Sequence, residues 1–292
     1  MKKTLAMLTA AMMTVGALAG CGSSSSTPAA TTAAATEAAT DAATTEAAGD
    51  TAAVAEGSVK TPSGKFTVGF DQEFPPMGFV GDDGQFTGFD LDLAKEVSSR
   101  LGLEFVPQPI NWDAKDMELD SGNIDCIWNG FTMQGREDAY TWVGPYMANN
   151  QVFVVTADSD IASKADLAGK AVEVQKDSSG LAALQDDAEL SASFGSMTEV
   201  ADYNTALMDL ESGACDAVCM DSIVAGYQIK SSGKDMKILD DTLSAEEYGI
   251  GFKKGEDELA KAVYDTLMEM KDDGTVAKIS NDWFGSDVFT LK

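Results

Sequence analysis

Met117-Glu118-Leu119-Asp120-Ser121-Gly122-Asn123-Ile124-Asp125-Cys126-Ile127 returns further along the chain as Met208-Asp209-Leu210-Glu211-Ser212-Gly213-Ala214-Cys215-Asp216-Ala217-Val218. The offset is constant: 117 to 208 and 125 to 216 both span 91 positions. Each copy reads as the end of a helix, a Ser-Gly stop and a short apolar strand introduced by Asp. Glycine just past a helix supplies the left-handed residue that closes it, and the β-branched residues and Cys that follow suit a buried strand. Two such units a domain's width apart predict two similar α/β lobes. Open α/β sheets bind ligands beyond the C-terminal ends of their strands, so a shared ligand is to be sought after each copy. The phrase is short, and chance recurrence is the alternative.

Outward from the first copy, Phe66–Phe70 reads as a strand and Gly81-Asp82-Asp83-Gly84 as a tight turn. Asp90 is placed to cap a helix carrying Leu93, Ala94, Val97 and Leu101 at helical spacing, stopped by Gly102. A strand over 104–106, a helix over 113–120 and a strand over 124–128 complete a βαβαβ run, which predicts a parallel sheet. Residues 151–156 form an apolar strand crossing into a second lobe. That lobe holds strands at 171–175, 216–220 and 236–239, and helices after Ser178, over 204–211 and over 222–231. Residues 248–252 read as the return crossing, and two helices close the chain, the first presenting Leu259, Val263, Leu267 and Met270 on one face. The expected organisation is 60–150 plus 248–292 as lobe 1 and 151–247 as lobe 2, hinged by the two crossings.

The N-terminus reads as a targeting segment. Lys2 and Lys3 precede an apolar stretch from Leu5 to Ala19, too short to span a bilayer stably. Leu18-Ala19-Gly20-Cys21 resembles the lipobox of bacterial lipoproteins, which implies removal of residues 1–20 and lipidation of Cys21; a plain secretory signal is the alternative. Residues 21–59 are dominated by Ser, Thr and Ala with scattered acids, a composition that buries too little apolar surface to offset ordering entropy, so a disordered tether is expected. The net charge of −28 becomes −30 once Lys2 and Lys3 are removed. So acidic a surface excludes nucleic acid and anionic lipid as partners of the folded body, leaving the membrane to the anchor.

The chain has no histidine, which removes Ser-His and Cys-His nucleophile pairs and the commonest zinc ligand. Cys215 and Cys219 lie roughly 13 Å apart in an extended strand, beyond disulfide reach, and Cys126 is in the other unit. All three read as buried reduced thiols, and no metal or cofactor is called for.

Phe74-Pro75-Pro76-Met77-Gly78-Phe79, Thr87-Gly88-Phe89-Asp90-Leu91-Asp92-Leu93-Ala94, Asp125 through Thr132, Tyr248-Gly249-Ile250-Gly251 and the ending Asp273-Gly274-Thr275 through Gly285 occur in that order. As a set, over residues 65–285, they resemble the polar amino-acid family of ABC-transporter solute-binding proteins, bacterial extracellular solute-binding protein family 3, in lipoprotein form. The resemblance implies an α/β, two-lobed, type II periplasmic-binding-protein fold with hinge-linked lobes. An amino acid presents a carboxylate, an ammonium and a side chain, and needs a cation or N–H cluster, a carboxylate and an apolar wall. Arg136 fits the first role through its planar fork, with Thr132, Asn129 and Gly130 beside it. Against the family's usual run it stands one residue early, and a surface pair with Glu137 or Asp138 is the bland alternative. Asp221 matches the family aspartate that receives the ammonium; read alone it caps the next helix equally well. Ser178 and Ser179 open a helix whose N–H groups suit a carboxylate, although Asp177 replaces a usual Gly. Phe74 and Trp112 match the rings that sandwich the ligand, with core filling as the alternative. Asp71 and Glu73 stand where the family reads the side chain.

The expected function is therefore a lipid-anchored extracytoplasmic protein, monomeric and not an enzyme, that captures an amino acid and delivers it to ABC permease subunits. Two rivals differ in class. A dehydratase acting on a cyclic acid would need a proton donor, for which Glu73 is the candidate; a ligand sensor would need a membrane receptor to dock.

Overall fold

The computed structural model describes residue 61 and residues 63–292. The leader, Cys21 and the tether expected over 21–59 lie outside the described residues. In chain order the elements are β1 (Lys65–Phe70), β2 (Glu73–Phe74), β3 (Gly78–Val80), β4 (Phe86–Thr87), α1 (Phe89–Leu101), β5 (Glu104–Pro109), α2 (Lys115–Ser121), β6 (Cys126–Thr132) and β7 (Tyr140–Thr156). They continue as β8 (Ala171–Gln175), α3 (Ser179–Asp186), α4 (Ala188–Ser193), β9 (Ser196–Val200), α5 (Tyr203–Ser212), β10 (Ala217–Asp221), α6 (Ser222–Ser232), β11 (Met236–Lys253), α7 (Asp257–Asp272) and α8 (Thr275–Phe284).

The main sheet runs β5-β1-β6-β11-β7-β10-β8-β9, and β2, β3 and β4 form a small antiparallel sheet of their own. At one end β1 pairs in parallel with β5 and β6. At the other, β8 pairs in parallel with β10 and β9. The antiparallel strands β7 and β11 lie between these two parallel groups and touch both. This is the mixed, two-lobed α/β arrangement the sequence predicts.

The repeated phrase performs the same local task in each half. Gly122 and Gly213 end α2 and α5 in the left-handed conformation, at φ 75° and 78°. The residue after each glycine donates its N–H back into the helix, Asn123 to Glu118 O at 3.0 Å and Ala214 to Asp209 O at 2.8 Å. The two repeated aspartates then fasten the new strand to its parallel neighbour. Asp125 Oδ2 accepts from Thr67 N at 2.6 Å while Asp125 N donates to Thr67 O at 2.8 Å; Asp216 Oδ2 accepts from Ala171 N while its own N donates to Ala171 O, both at 2.8 Å. Strand register is thus set by the residue just before each strand, on both sides.

Phe66, Val68, Leu93, Val97, Val263 and Leu267 share one apolar cluster with Val218 and Met220 from the opposite half, and the whole predicted α7 face is buried. Cys126, Cys215 and Cys219 are buried free thiols, as expected.

Three expectations are corrected. Asp90 does not cap α1: Gly88 occupies that position, and the fully buried Asp90 side chain turns inward to accept from Gly130 N at 2.7 Å and Tyr146 Oη at 2.8 Å. The separate strands read at 236–239 and 248–252 are one long strand, β11, whose pairing slips between Ile238 and Ser244 and again near Gly249. The slips spoil the alternation that would have revealed continuity. β7 likewise begins at Tyr140 rather than at residue 151, because its early half is too polar and aromatic-mixed to show a clean apolar run.

Candidate functional site

The ends of β6 and β10, which follow the two repeats, meet across a cleft. Gly130, Thr132 and Arg136 face Ser178, Ser179 and Asp221, with Phe74 and Trp112 at the sides and Gln175, not among the predicted residues, completing the lining. The central space is pinched to about 10 Å³, room for about one water. Two open side grooves of about 1020 Å³ each adjoin it, one sharing Thr132, Arg136, Ser178 and Ser179 with the centre and the other Trp112.

Arg136 reaches the cleft through a turn. Arg136 N donates to Met133 O at 2.9 Å, and Gly135, at φ 78°, provides the positive φ at the turn's third position. The guanidinium donates to Thr132 O at 3.2 Å and Asp177 O at 3.3 Å and stacks 5.1 Å above the Phe131 ring. Asp177 itself adopts φ 55°, the conformation Gly would take freely and one that Asp tolerates better than most residues. Its carboxylate pairs with Lys115, whose ammonium is buried and also bonded to the carbonyls of Trp112 and Asp177.

Ser178 is the N-cap of α3, its Oγ accepting from Leu181 N at 3.1 Å, which fixes the start of the helix whose N–H groups border the cleft. Ser179 Oγ instead faces the opposite half, accepting from Thr132 Oγ1 and from Gln151 Nε2, each at 3.1 Å. Phe74 leans on Tyr203, ring centroids 5.8 Å apart, and Trp112 meets Phe131 edge-on at 5.5 Å.

Asp221, only 3% exposed, is held by three donors: Asn149 Nδ2 and Tyr248 Oη, each 2.7 Å from Oδ1, and Tyr203 Oη, 3.2 Å from Oδ2. Its side chain caps nothing. Burial, aided by the nearby Glu246 carboxylate, pushes it up to about 8 against the pull of its donors. Asp90, buried behind Gly130, is pushed up to about 7 by desolvation, and its bond to Gly130 N fixes the backbone that floors the cleft.

Asp71 and Glu73 do not line the pinched centre; they lie in one of the side grooves with Asp202, Asn204 and Lys176. Asp71 accepts from Gln175 Nε2 at 2.7 Å, a bond across the cleft, and burial raises it to about 6. Glu73 accepts from Asn204, also from the opposite half. Asn129 stands behind this group: its Oδ1 accepts from Asp71 N at 3.1 Å, so it positions Asp71 rather than facing the cleft. Sequence reasoning missed the ring around Asp221 (Asn149, Gln151, Tyr203, Glu246), because nothing in a polar residue's spacing announces that it will be buried. The motif containing Tyr248 was the available signal, with Glu246 two residues before it.

The family model for "Bacterial extracellular solute-binding proteins, family 3" matches residues 66–286. The chain is 31% identical over 231 residues to the L-cystine-binding protein TcyJ of Escherichia coli, covering 77% of this chain and 84% of that one. It is 29% identical to the arginine-binding extracellular protein ArtP of Bacillus subtilis, covering 97% and 98%. Among solved structures it is similar to an ABC uptake transporter substrate-binding protein from Streptococcus pneumoniae with bound histidine, with a TM-score of 0.76, 34% identity and coverage of 78% and 95%. It is also similar to an ancestral arginine-binding protein bound to glutamine, with a TM-score of 0.70, 35% identity and coverage of 76% and 99%.

Proposed function

The chain belongs to the bacterial extracellular solute-binding proteins, family 3, and on that premise we propose that it captures one free amino acid between its lobes and delivers it to an ABC importer. One observation carries the reading: the half-buried Arg136 and the buried Asp221 stand in one cleft, on opposite sides, flanked by Phe74 and Trp112. A zwitterion has its two charges separated in that manner, and a planar guanidinium suits its carboxylate. Arg136 and Thr132 take the carboxylate, with the N–H groups at the start of α3 beside Ser179; Asp221 takes the ammonium. Among the bonds that now span the cleft, Thr132 to Ser179 and Gln175 to Asp71 are those the ligand replaces. The side groove carrying Asp71, Glu73 and Asp202 favours a side chain that is cationic or rich in N–H donors.

The hinge lies where β7 and β11 change partners, dividing the chain into 60–150 plus 248–292 and 151–247. Cys21 carries the lipid anchor, and the protein works as an extracytoplasmic monomer. The relatives are binding proteins, and the function proposed needs no catalysis.

A thermal-shift panel of free amino acids tests the reading. A ligand at a hundred times its Kd adds about 2.7 kcal/mol, or roughly 5–10 °C for a folded body of this size. A panel in which no amino acid raises the melting temperature rejects it, as does an Arg136→Ala variant that keeps the wild-type shift.

A further inference from the structure

Asp221 is one of two buried carboxylates at this point. Glu246, on β11 and 5% exposed, accepts from Asn149 Nδ2 at 2.6 Å and Gln151 Nε2 at 2.9 Å. The same Asn149 amide donates to Asp221 Oδ1, so one NH2 group spans both acids. The Glu246 carboxylate acts directly on Asp221, its charge being second only to burial among the influences that raise it. No cation among the described residues is ion-paired with either. Arg136, which shares a groove with Glu246, points two of its N–H groups at backbone carbonyls.

The remaining groups around the pair bring no positive charge. Tyr203 from α5, Tyr248 from β11 and the Cys219 thiol from β10 are all pushed up by burial and stay neutral. Ser179 and Gln151 have no charge, and Gln151, fully buried, leaves its Oε1 without a partner. Two carboxylates cannot both stay ionised when buried side by side without a counter-charge. Either a proton or a bound cation must neutralise one of them.

We propose that the ligand's ammonium is shared between Asp221 and Glu246, and that its arrival expels to solvent the proton the pair holds beforehand, so that capture is coupled to proton release. This deepens, and rests on, the amino-acid-binding reading above. The ammonium keeps its three N–H bonds and donates them; the carboxyl O–H breaks, and its proton passes to the buffer. A ligand with a hydroxyl in place of the ammonium leaves the proton where it is. Glu246 therefore becomes a specificity residue, selecting amines over 2-hydroxy acids of the same shape.

The test is calorimetry on the purified full chain with the amino acid that the thermal panel selects, at pH 7 in phosphate and in Tris. Their different ionisation enthalpies reveal the protons released. The expected result is close to one proton per ligand, with affinity rising about tenfold per pH unit from pH 6 and levelling near pH 8. Glu246→Gln, the same shape without the charge, should release clearly less than wild type, flatten that pH dependence and weaken binding at pH 8 about tenfold or more. Glu247→Gln, an exposed neighbour, should behave as wild type, and melting curves confirm that both variants fold. Binding whose enthalpy is independent of buffer, or proton release unaltered in Glu246→Gln, overturns the inference while leaving amino-acid capture intact. Absence of binding by any amino acid at any pH overturns the reading beneath it instead.

Discussion

Replacing Gly130 by Ala tests whether the floor of the cleft is set by backbone geometry. The residue sits at φ 55°, and its N–H is fixed by Asp90. A Cβ there would lie 2.9 Å from Phe74 Cε1 and 3.2 Å from two carbons of the Tyr248 ring, inside normal contact. Both rings are buried and have little room to retreat. Forcing an L residue into this conformation costs about 1–2 kcal/mol, and overpacking a dense interior about 1–3 kcal/mol more. The sum, about 2–5 kcal/mol, lowers the melting temperature by roughly 4–20 °C in a domain of this size. Gly135→Ala separates the two effects. Gly135 also has a positive φ, but a Cβ there meets nothing within 4 Å, so only the conformational cost of about 1–2 kcal/mol remains. Urea unfolding of both variants, at equal m-values, gives the comparison. If Gly130→Ala costs no more than Gly135→Ala, the packing argument fails, and with it the claim that Phe74 and Tyr248 are held rigidly at the cleft.

The ligand-free protein should melt higher at pH 5 than at pH 8. Asp71, Asp90 and Asp221 keep protons in the folded chain up to about 6, 7 and 8 that they lose near 4 when unfolded, so stability falls as pH rises through that window; a melting temperature that climbs between pH 5 and 8 would contradict this. Asp125→Ala should cost about 1–3 kcal/mol, because it strips a charge-assisted bond from the part-buried Thr67 N–H, whereas Asp216→Ala, whose bond is exposed to solvent, should cost less by denaturant titration. Equal costs would mean that burial does not separate the two copies. The thiols of Cys126, Cys215 and Cys219 are buried and pushed up, so a thiol reagent followed by peptide mass spectrometry should label none of them before unfolding.

Much of the architecture was legible because it is written in local rules. Ser-Gly after a helical stretch, Asp before an apolar run and the 91-residue echo each act over a few neighbours, and both copies fold alike. Arg136 shows a local rule absorbing an irregularity: one residue fewer in the loop is met by a tight turn at Gly135, and the guanidinium still reaches the cleft. Asp90 and Glu246 were not legible. Both look like surface acids in their own neighbourhoods, and only the approach of β6, β7 and β10, distant in sequence, buries them. Long strands with slipped register hid for the same reason: β11 satisfies two sets of partners, so neither period nor composition is uniform along it.

The side-by-side course of β7 and β11 has a mechanical consequence. They are hydrogen-bonded to each other from Tyr140 with Lys253 to Thr156 with Met236, interrupted only by the slips. A two-stranded ribbon of this kind resembles a leaf spring: stiff to stretching and to sliding in its own plane, compliant to bending and twisting across it. Relative displacement of the parallel groups at either end is therefore channelled into few directions. The slips between Ile238 and Ser244, where rungs of the ladder are missing, are where curvature should concentrate.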